Sequence, residues 1–327
     1  MINELSALRR IEERFHKASK GVELGIGDDA AALQFDTDKL VLATTDSQVE
    51  DVHFVKSLIT ASELARKAVA VSVSDVGAMG GVPRFILASV GFSEKENEEF
   101  LDGLISGFKL SEEEFELELI GGNLSSSNKL FIDITVLGEV EPHLMIKRSG
   151  ANPGDLIYTS GTLGDSALGL KILQNKEIGY GYEFLINKHL HPIPRLELGR
   201  ELAINRVPTS MIDISDGILL DLERITVQQG TGAKLELMKL PTSKQYGECI
   251  HQYSDDEYGL ALSGGEDYEL LFTSHEDRRG DIQTISKNLN IQITEIGYVT
   301  KDRTIEVLNI NGEAAPHPNR GFIHFNN

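Results

Sequence analysis

Short apolar runs rich in β-branched residues alternate with longer, Ala-rich or helix-periodic segments along the whole chain. That alternation admits only mixed α and β architecture. Residues 40–45, 84–92, 115–120 and 130–140 read as strands. Residues 62–79 alternate in places, at Val71, Val73 and Val76, but the segment is long and Ala-rich and predicts a helix. Ser93 with Glu96 three residues on forms a capping box, which predicts a helix from there to Phe108. Residues 1–20, with Arg9, Arg10, Glu12, Glu13 and Arg14, predict a charged amphipathic helix and lack the apolar stretch of a signal peptide.

The clearest punctuation is Ser149-Gly150-Ala151-Asn152-Pro153-Gly154-Asp155, small residues followed at once by a strand over 156–159. It divides the 327 residues into an expected N-terminal domain, 1–148, and C-terminal domain, 149–327, in keeping with a usual domain size of about 100–200 residues. In the second half 165–173, 194–203 and 217–229 predict helices, and 211–214, 268–272 and 292–299 predict strands. No internal period recurs, which excludes solenoids and propellers. The expected fold is α+β or α/β in two domains, an N-terminal β-sheet domain with helices and a C-terminal α/β domain.

Charge narrows the partners. The 31 Lys+Arg against 51 Asp+Glu leave a net −20, which repels phosphate backbones, so nucleic acid and anionic membranes are excluded as partners. No apolar stretch approaches the roughly 20 residues that span a bilayer. The single cysteine, Cys249, rules out an intramolecular disulfide framework and points to a reducing, cytoplasmic setting.

Five acidic spots share a style, with carboxylates set among Gly, Ser, Thr and short apolar residues. They are Gly25-Ile26-Gly27-Asp28-Asp29, Ala43-Thr44-Thr45-Asp46-Ser47, Ser72-Val73-Ser74-Asp75-Val76, Ile212-Asp213-Ile214-Ser215-Asp216-Gly217 and Gly264-Gly265-Glu266-Asp267-Tyr268. A carboxylate inside or at the end of an apolar run needs compensation. A hard divalent cation supplies it, since Mg²⁺ takes a few carboxylate oxygens and keeps positions for water and phosphates. Helix caps and turns are the competing use of Asp beside Gly or Ser, and Asp216 before Gly217 fits that use. Asp75 resists it, because it lies inside an apolar helix segment. Gly121-Gly122-Asn123 and Gly161-Thr162-Leu163-Gly164-Asp165 read as Gly-rich turns after strands, either ordinary turns or phosphate cradles. The chain has no Gly-x-x-x-x-Gly-Lys-Ser/Thr loop and no Gly-x-Gly-x-x-Gly βαβ opening. Cys249 reads as an inert thiol, His189 and His191 beside Pro192 and Pro194 as loop, and His53 as a structural hydrogen-bonder.

Seven motifs nevertheless stand in one order. They are Gly27-Asp28-Asp29-Ala30, Thr44-Thr45-Asp46, Ser74-Asp75-Val76-Gly77-Ala78-Met79-Gly80, Gly121-Gly122, Arg148-Ser149-Gly150, Asp213-Ile214-Ser215-Asp216-Gly217 and Ser263-Gly264-Gly265-Glu266-Asp267-Tyr268-Glu269-Leu270. That series resembles the thiamine-monophosphate kinase family of the aminoimidazole-ribonucleotide-synthetase superfamily, from about residue 20 to Phe325. The resemblance implies Mg²⁺-assisted phosphoryl transfer from ATP to thiamine monophosphate, giving thiamine diphosphate. It also implies a homodimer whose N-terminal domains share a β-barrel, with the second domain closing the active site. By motif position Asp29, Thr44, Thr45, Asp46, Asp75, Asp213 and Asp216 look like the Mg²⁺ set. Gly121, Gly122, Arg148 and Ser215 look like nucleotide contacts, and His53, Glu266 and Phe322 like the thiamine side. Asn123 stands where the family carries Asp, an uncharged position in both the metal and the nucleotide sets.

The chemistry suits the composition. A phosphate acceptor is already ionised, so positioning and charge neutralisation suffice and no general base is required. Other readings are another ATP-using superfamily member or a non-catalytic divalent-metal-binding protein. Aminoimidazole-ribonucleotide synthetase would carry Asp-Gly-Val-Gly-Thr-Lys where this chain has Asp46-Ser47-Gln48-Val49-Glu50. Selenophosphate synthetase needs a reactive Cys near the N-terminus, and the hydrogenase-maturation relative ends in Cys where this chain ends in Asn327.

Overall fold

A computed structural model describes residues 4–15, 21–24, 26, 31–175, 181–315 and 321–322. The chain forms two compact units, residues 1–76 with 81–143, and 77–80 with 144–327. The division falls at 143/144 rather than 148/149. The chain joins the second unit before the Gly/Pro punctuation, because Ile146 N–H donates to Met79 O (3.1 Å) and Met211 N–H to Lys147 O (3.0 Å).

The first unit contains α1 (Glu4–Phe15), β1 (Val22–Leu24), β2 (Ala32–Leu33), β3 (Leu40–Val49), α2 (Ala61–Ala78), β4 (Val82–Phe92), α3 (Glu98–Phe115), β5 (Glu118–Ser126) and β6 (Phe131–Val140). Its main sheet has the order β3-β6-β4-β5, with β4 and β5 parallel and the other pairs antiparallel. Strand alternation sends Ile132, Ile134, Val136, Ile86, Ala88 and Val90 to one buried face. The opposite face, with Ala43, Thr45, Leu87, Ser89, Asp133 and Thr135, is exposed or half-buried.

Three sequence expectations differ from the structure. The helix after Ser93 starts four residues late, because the Asn97 side chain accepts the Phe100 N–H (2.9 Å) as its true cap. Glu96 is instead buried and takes the Lys56 ammonium. The helix then runs on to Phe115, so the strand expected from 115 begins at Glu118. Gly121-Gly122 is no turn but lies within β5, directly after a bulge: Ile86 pairs with Leu119 and Leu87 with Gly121, leaving Ile120 as the extra residue. A Cβ at Gly122 would stand 2.0 Å from Ala88 O, so only glycine permits this approach.

The second unit contains β7 (Leu156–Ser160), α4 (Asp165–Gln174), α5 (Glu183–Leu190), α6 (Leu196–Ile204), β8 (Ser210–Asp213), α7 (Ile218–Ile225), β9 (Gly232–Glu236), α8 (Lys244–Cys249), α9 (Gly259–Ser263), β10 (Leu270–Ser274), α10 (Arg279–Leu289), β11 (Ile293–Thr300), β12 (Ile305–Leu308) and β13 (Ala314–Ala315). Its sheet has the order β13-β12-β9-β11-β7-β10-β8, antiparallel throughout except for β12 beside β9. Neighbouring residues serve different cores. Ile157, Ile212 and Leu271 join the cluster with Leu168, Leu185, Leu222 and Tyr246, whereas Tyr158, Met211 and Phe272 join Leu198, Leu202 and Ile285. The unit is therefore a sheet covered by helices on both faces. Among the described residues no helix is long and apolar enough to cross a membrane.

Candidate metal, nucleotide and substrate residues

In the first unit the β3 motif meets the helix that follows it. Thr44 Oγ1 donates to Asp75 Oδ2 at 2.6 Å. Asp75 is half-buried rather than sealed in the interior, so α2 turns this carboxylate toward the margin of its apolar surface. Asp46, two residues beyond Thr44, shares its face of the strand. Thr45 points the other way, its hydroxyl 3.3 Å from Thr135 Oγ1. Asn123 is also on that other face, since it pairs with Ser89, Ser89 with Asp133, and Asp133 with Ser47. Within this unit the pleat therefore separates Thr45 and Asn123 from Thr44, Asp46 and Asp75. Asp28 and Asp29 lie outside the described residues. His53 follows β3 and accepts the Val49 N–H on Nδ1 (3.1 Å), which leaves its proton on Nε2.

A cavity of about 870 Å³ lies beside β5. Phe15, Leu33, Leu104, Phe108 and Ile120 supply its apolar wall, and Gly121, Gly122, Asn123, Ser89 and Asp133 its polar side. A large apolar pocket with a few convergent polar groups is the usual form of a small-molecule site.

In the second unit β8 ends at Asp213, which is buried, and leads through Ile214, Ser215, Asp216 and Gly217 into α7. Asp216 does not cap that helix: its Oδ2 takes Arg224 Nη2 at 2.5 Å. The loop is shaped by Asp221, fully buried, which accepts the N–H groups of Ser215 and Asp216 (3.1 Å each) and Arg224 Nη1 (2.5 Å). Burial pushes the Asp221 carboxyl up to about 6, against the pull of Arg224. A second loop is stitched to the first, with Glu266 N–H on Ser215 O (2.8 Å), Tyr268 N–H on Ile214 O (2.9 Å) and Ile214 N–H on Glu269 O (2.8 Å). Phe322 N–H donates to Asp216 O (2.9 Å), which brings the C-terminal segment to the same place. Ser215, Asp216, Glu266 and Phe322 are thus gathered by backbone bonds. Arg148 is exposed and follows Lys147, whose carbonyl bonds Met211 on the outer edge of β8.

Two acids near this loop are scaffold. Asp267 caps α4, accepting the N–H groups of Gly164 (2.8 Å) and Ser166 (3.4 Å), and burial pushes it well above the usual carboxylate range. Glu269 is buried under Arg195, which grips both carboxylate oxygens at 2.6 Å. Sequence reasoning passed over Asp221 and Arg224, whose signal was an i, i+3 acid–base pair on the helix after Asp216-Gly217. It also read His189 as loop, whereas the residue closes α5 and stands 3.1 Å from Glu266.

The donor set suits magnesium in kind. It is all oxygen, from carboxylates and a hydroxyl. Among the described residues no three His, Cys, Asp or Glu side chains converge tightly enough to enclose a metal by themselves.

Comparison with known proteins gives the class first. Residues 27–140 match the family model of AIR synthase related protein, N-terminal domain. Over nearly its full length the chain is 36% identical to thiamine-monophosphate kinase of Buchnera aphidicola subsp. Schizaphis graminum, covering 99% of each chain. It is 35% identical to that of Escherichia coli (strain K12), covering 98% of each. Among solved structures, thiamine-monophosphate kinase from Stenotrophomonas maltophilia K279a superposes with a TM-score of 0.85 at 31% identity, covering 96% of this chain and 98% of that one. AaThiL complexed with AMPPCP and TMP superposes with a TM-score of 0.79 at 32% identity, covering 98% and 97%. The Escherichia coli hydrogenase maturation protein HypE shares the fold, with a TM-score of 0.78 at 17% identity. The chain belongs to the thiamine-monophosphate kinase family.

Proposed function

We propose that this protein transfers the γ-phosphoryl group of ATP to the phosphate of thiamine monophosphate, releasing ADP and thiamine diphosphate. The full-length likeness to thiamine-monophosphate kinases carries the reading. A structure of AaThiL with AMPPCP and TMP supports it. The attacking group is an oxygen of the acceptor phosphate, ionised at neutral pH, and the bond broken joins the γ-phosphorus to the β,γ-bridging oxygen. Because that nucleophile needs no deprotonation, the protein's task is to hold two polyanions in line.

Asp46, Asp75 and the Thr44 hydroxyl are proposed to hold Mg²⁺, with Asp29, Asp213 and Asp216 as further carboxylates of the set. Magnesium supplies charge neutralisation and a bridge between phosphate oxygens. Gly121, Gly122 and Asn123 line the cavity of the first unit, whose apolar wall suits a nucleoside. Asn123 belongs with that nucleotide role, because the pleat turns it away from Asp46 and Asp75. Arg148 offers a guanidinium to phosphate oxygens, and Ser215 a backbone and hydroxyl contact. His53, Glu266 and Phe322 form the proposed thiamine side, a carboxylate suiting the fixed positive charge of the thiazolium.

A homodimer built on the open sheet face of the first unit completes the proposal, with Val41 and Val82 at least 40% exposed there. The lone cysteine suits work in the cytoplasm. Incubation of the purified protein with ATP, Mg²⁺ and thiamine monophosphate tests the activity. Mass analysis is expected to find thiamine diphosphate and ADP, and ADP with free phosphate alone would refute transfer. Light scattering tests the dimer, which a monomer mass near 36.0 kDa would contradict.

A further inference from the structure

We infer that His189 is a positioning residue for Glu266, fixing the carboxylate that meets the cationic part of the substrate; this rests on the reading of Glu266 as a thiamine contact. Glu266 sits at φ +65°, a left-handed conformation that a residue with a side chain rarely adopts, and Tyr268 two residues on sits at φ +50°. Such a conformation persists where the surroundings fix it, and it recurs at ligand clamps. The backbone is fixed by the bond from Glu266 N–H to Ser215 O. The side chain is fixed from another element altogether.

His189 lies in the last turn of α5 and is 5% exposed, whereas the Glu266 side chain is 24% exposed. Its Nδ1 stands 3.1 Å from Glu266 Oε2 and 3.2 Å from Ser166 Oγ. A carboxylate only accepts, so Nδ1 carries the proton and donates to Glu266. Ser166 belongs to the first turn of α4, and its N–H points at Asp267, the neighbour of Glu266. The imidazole therefore bridges the start of α4 and the 264–268 loop.

α5 reaches that position because α4 carries Gly169, where a Cβ would stand 2.0 Å from Leu185 O. The helices pack backbone to backbone, and His189 follows Leu185 by one turn on the same face. A buried ring whose Nδ1 reaches both Ser166 and a partly exposed carboxylate is the arrangement that fixes a recognition group before its ligand arrives. The ligand class is an organic cation, and the expected effect falls on its binding rather than on phosphoryl transfer.

The test is steady-state kinetics on the intact protein. His189→Leu should raise KM for thiamine monophosphate about tenfold, leaving kcat and KM for ATP within about twofold. His189→Asn, whose amide nitrogen falls where Nδ1 stands, should restore KM to within about threefold of wild type. In a Glu266→Gln background, itself raised in KM, His189→Leu should add less than about twofold. A Glu266→Gln protein with unchanged KM would overturn the reading of Glu266 on which the inference stands. A raised KM in Glu266→Gln with an unchanged KM in His189→Leu would overturn the inference itself. Equal losses in kcat and both KM values, without rescue by Asn, would reduce His189 to a packing residue and overturn it as well.

Discussion

Two acid-bearing regions, one in each unit, deal with negative charge in opposite ways. Asp75 of the first unit is half-buried and takes a neutral partner, the Thr44 hydroxyl at 2.6 Å. Asp221 of the second is fully buried and takes two backbone N–H groups and Arg224, which grips Asp216 as well. A carboxylate with a guanidinium built into its own helix is part of the frame. One answered by a hydroxyl still attracts a cation from solution. The contrast separates Asp221, which holds the loop, from Asp75, which is offered to metal and phosphate.

The largest expected effect lies in the first region. Asp75→Asn keeps the shape and the acceptor oxygen for Thr44, so the metal-free protein should melt no lower than wild type. Turnover should fall by about a thousandfold or more, the scale of losing several kcal/mol of charge stabilisation. The thermal shift given by Mg²⁺ with nucleotide should shrink too. An Asp75→Asn protein that melts well below wild type yet stays active would place Asp75 in the frame and erase the contrast.

The second region should respond in stability instead. Arg224→Met leaves Asp221 and Asp216 without their cation, and breaking a buried pair in this way costs about 3 kcal/mol. Urea denaturation measures it, and a loss under about 1 kcal/mol would show that the loop does not depend on the pair.

Acidity gives a finer test of the same loop. Burial pushes Asp221 up to about 6 from an ordinary 3.8, so between those values the folded chain binds this proton more tightly than the unfolded one. Its contribution to stability is full below about pH 4 and falls as pH rises through 6. The stability of wild type minus that of Asp221→Asn should therefore shrink across that interval, and a difference flat with pH would contradict it. The smallest effect is expected at Asn123. Because the pleat turns it from Asp46 and Asp75, Asn123→Asp should leave the Mg²⁺ titration of the initial rate within about twofold. A several-fold tightening would show that it shares a cation with those carboxylates.

How far the sequence could be read depended on whether a signal was local. β-branched runs marked β3, β4, β6 and β8 because alternation and burial are written into neighbouring residues. The motif series fixed the family, and backbone bonds gather Ser215, Asp216, Glu266 and Phe322 in one place. Gly121-Gly122 misled because paired glycines signal a turn, while here they answer the carbonyl of a neighbouring strand that is distant in sequence. Pro192 and Pro194 drew His189 into a supposed loop, although they follow the end of α5. Asn97 displaced Ser93 as cap because Glu96, the partner in the expected box, is buried under Lys56. The sides on which Asn123 and Thr45 fall came from register, which no single motif encodes.

Transfer of the γ-phosphoryl group to the acceptor phosphate, rather than to water, is the central claim, and an isotope experiment reaches it most closely. ATP carrying oxygen-18 on the non-bridging γ-oxygens is mixed with thiamine monophosphate, Mg²⁺ and the protein, and the products are separated and weighed by mass spectrometry. The account predicts all of the label in the terminal phosphate of thiamine diphosphate, formed in step with ADP. Label recovered in free phosphate, with thiamine monophosphate unchanged, would contradict it.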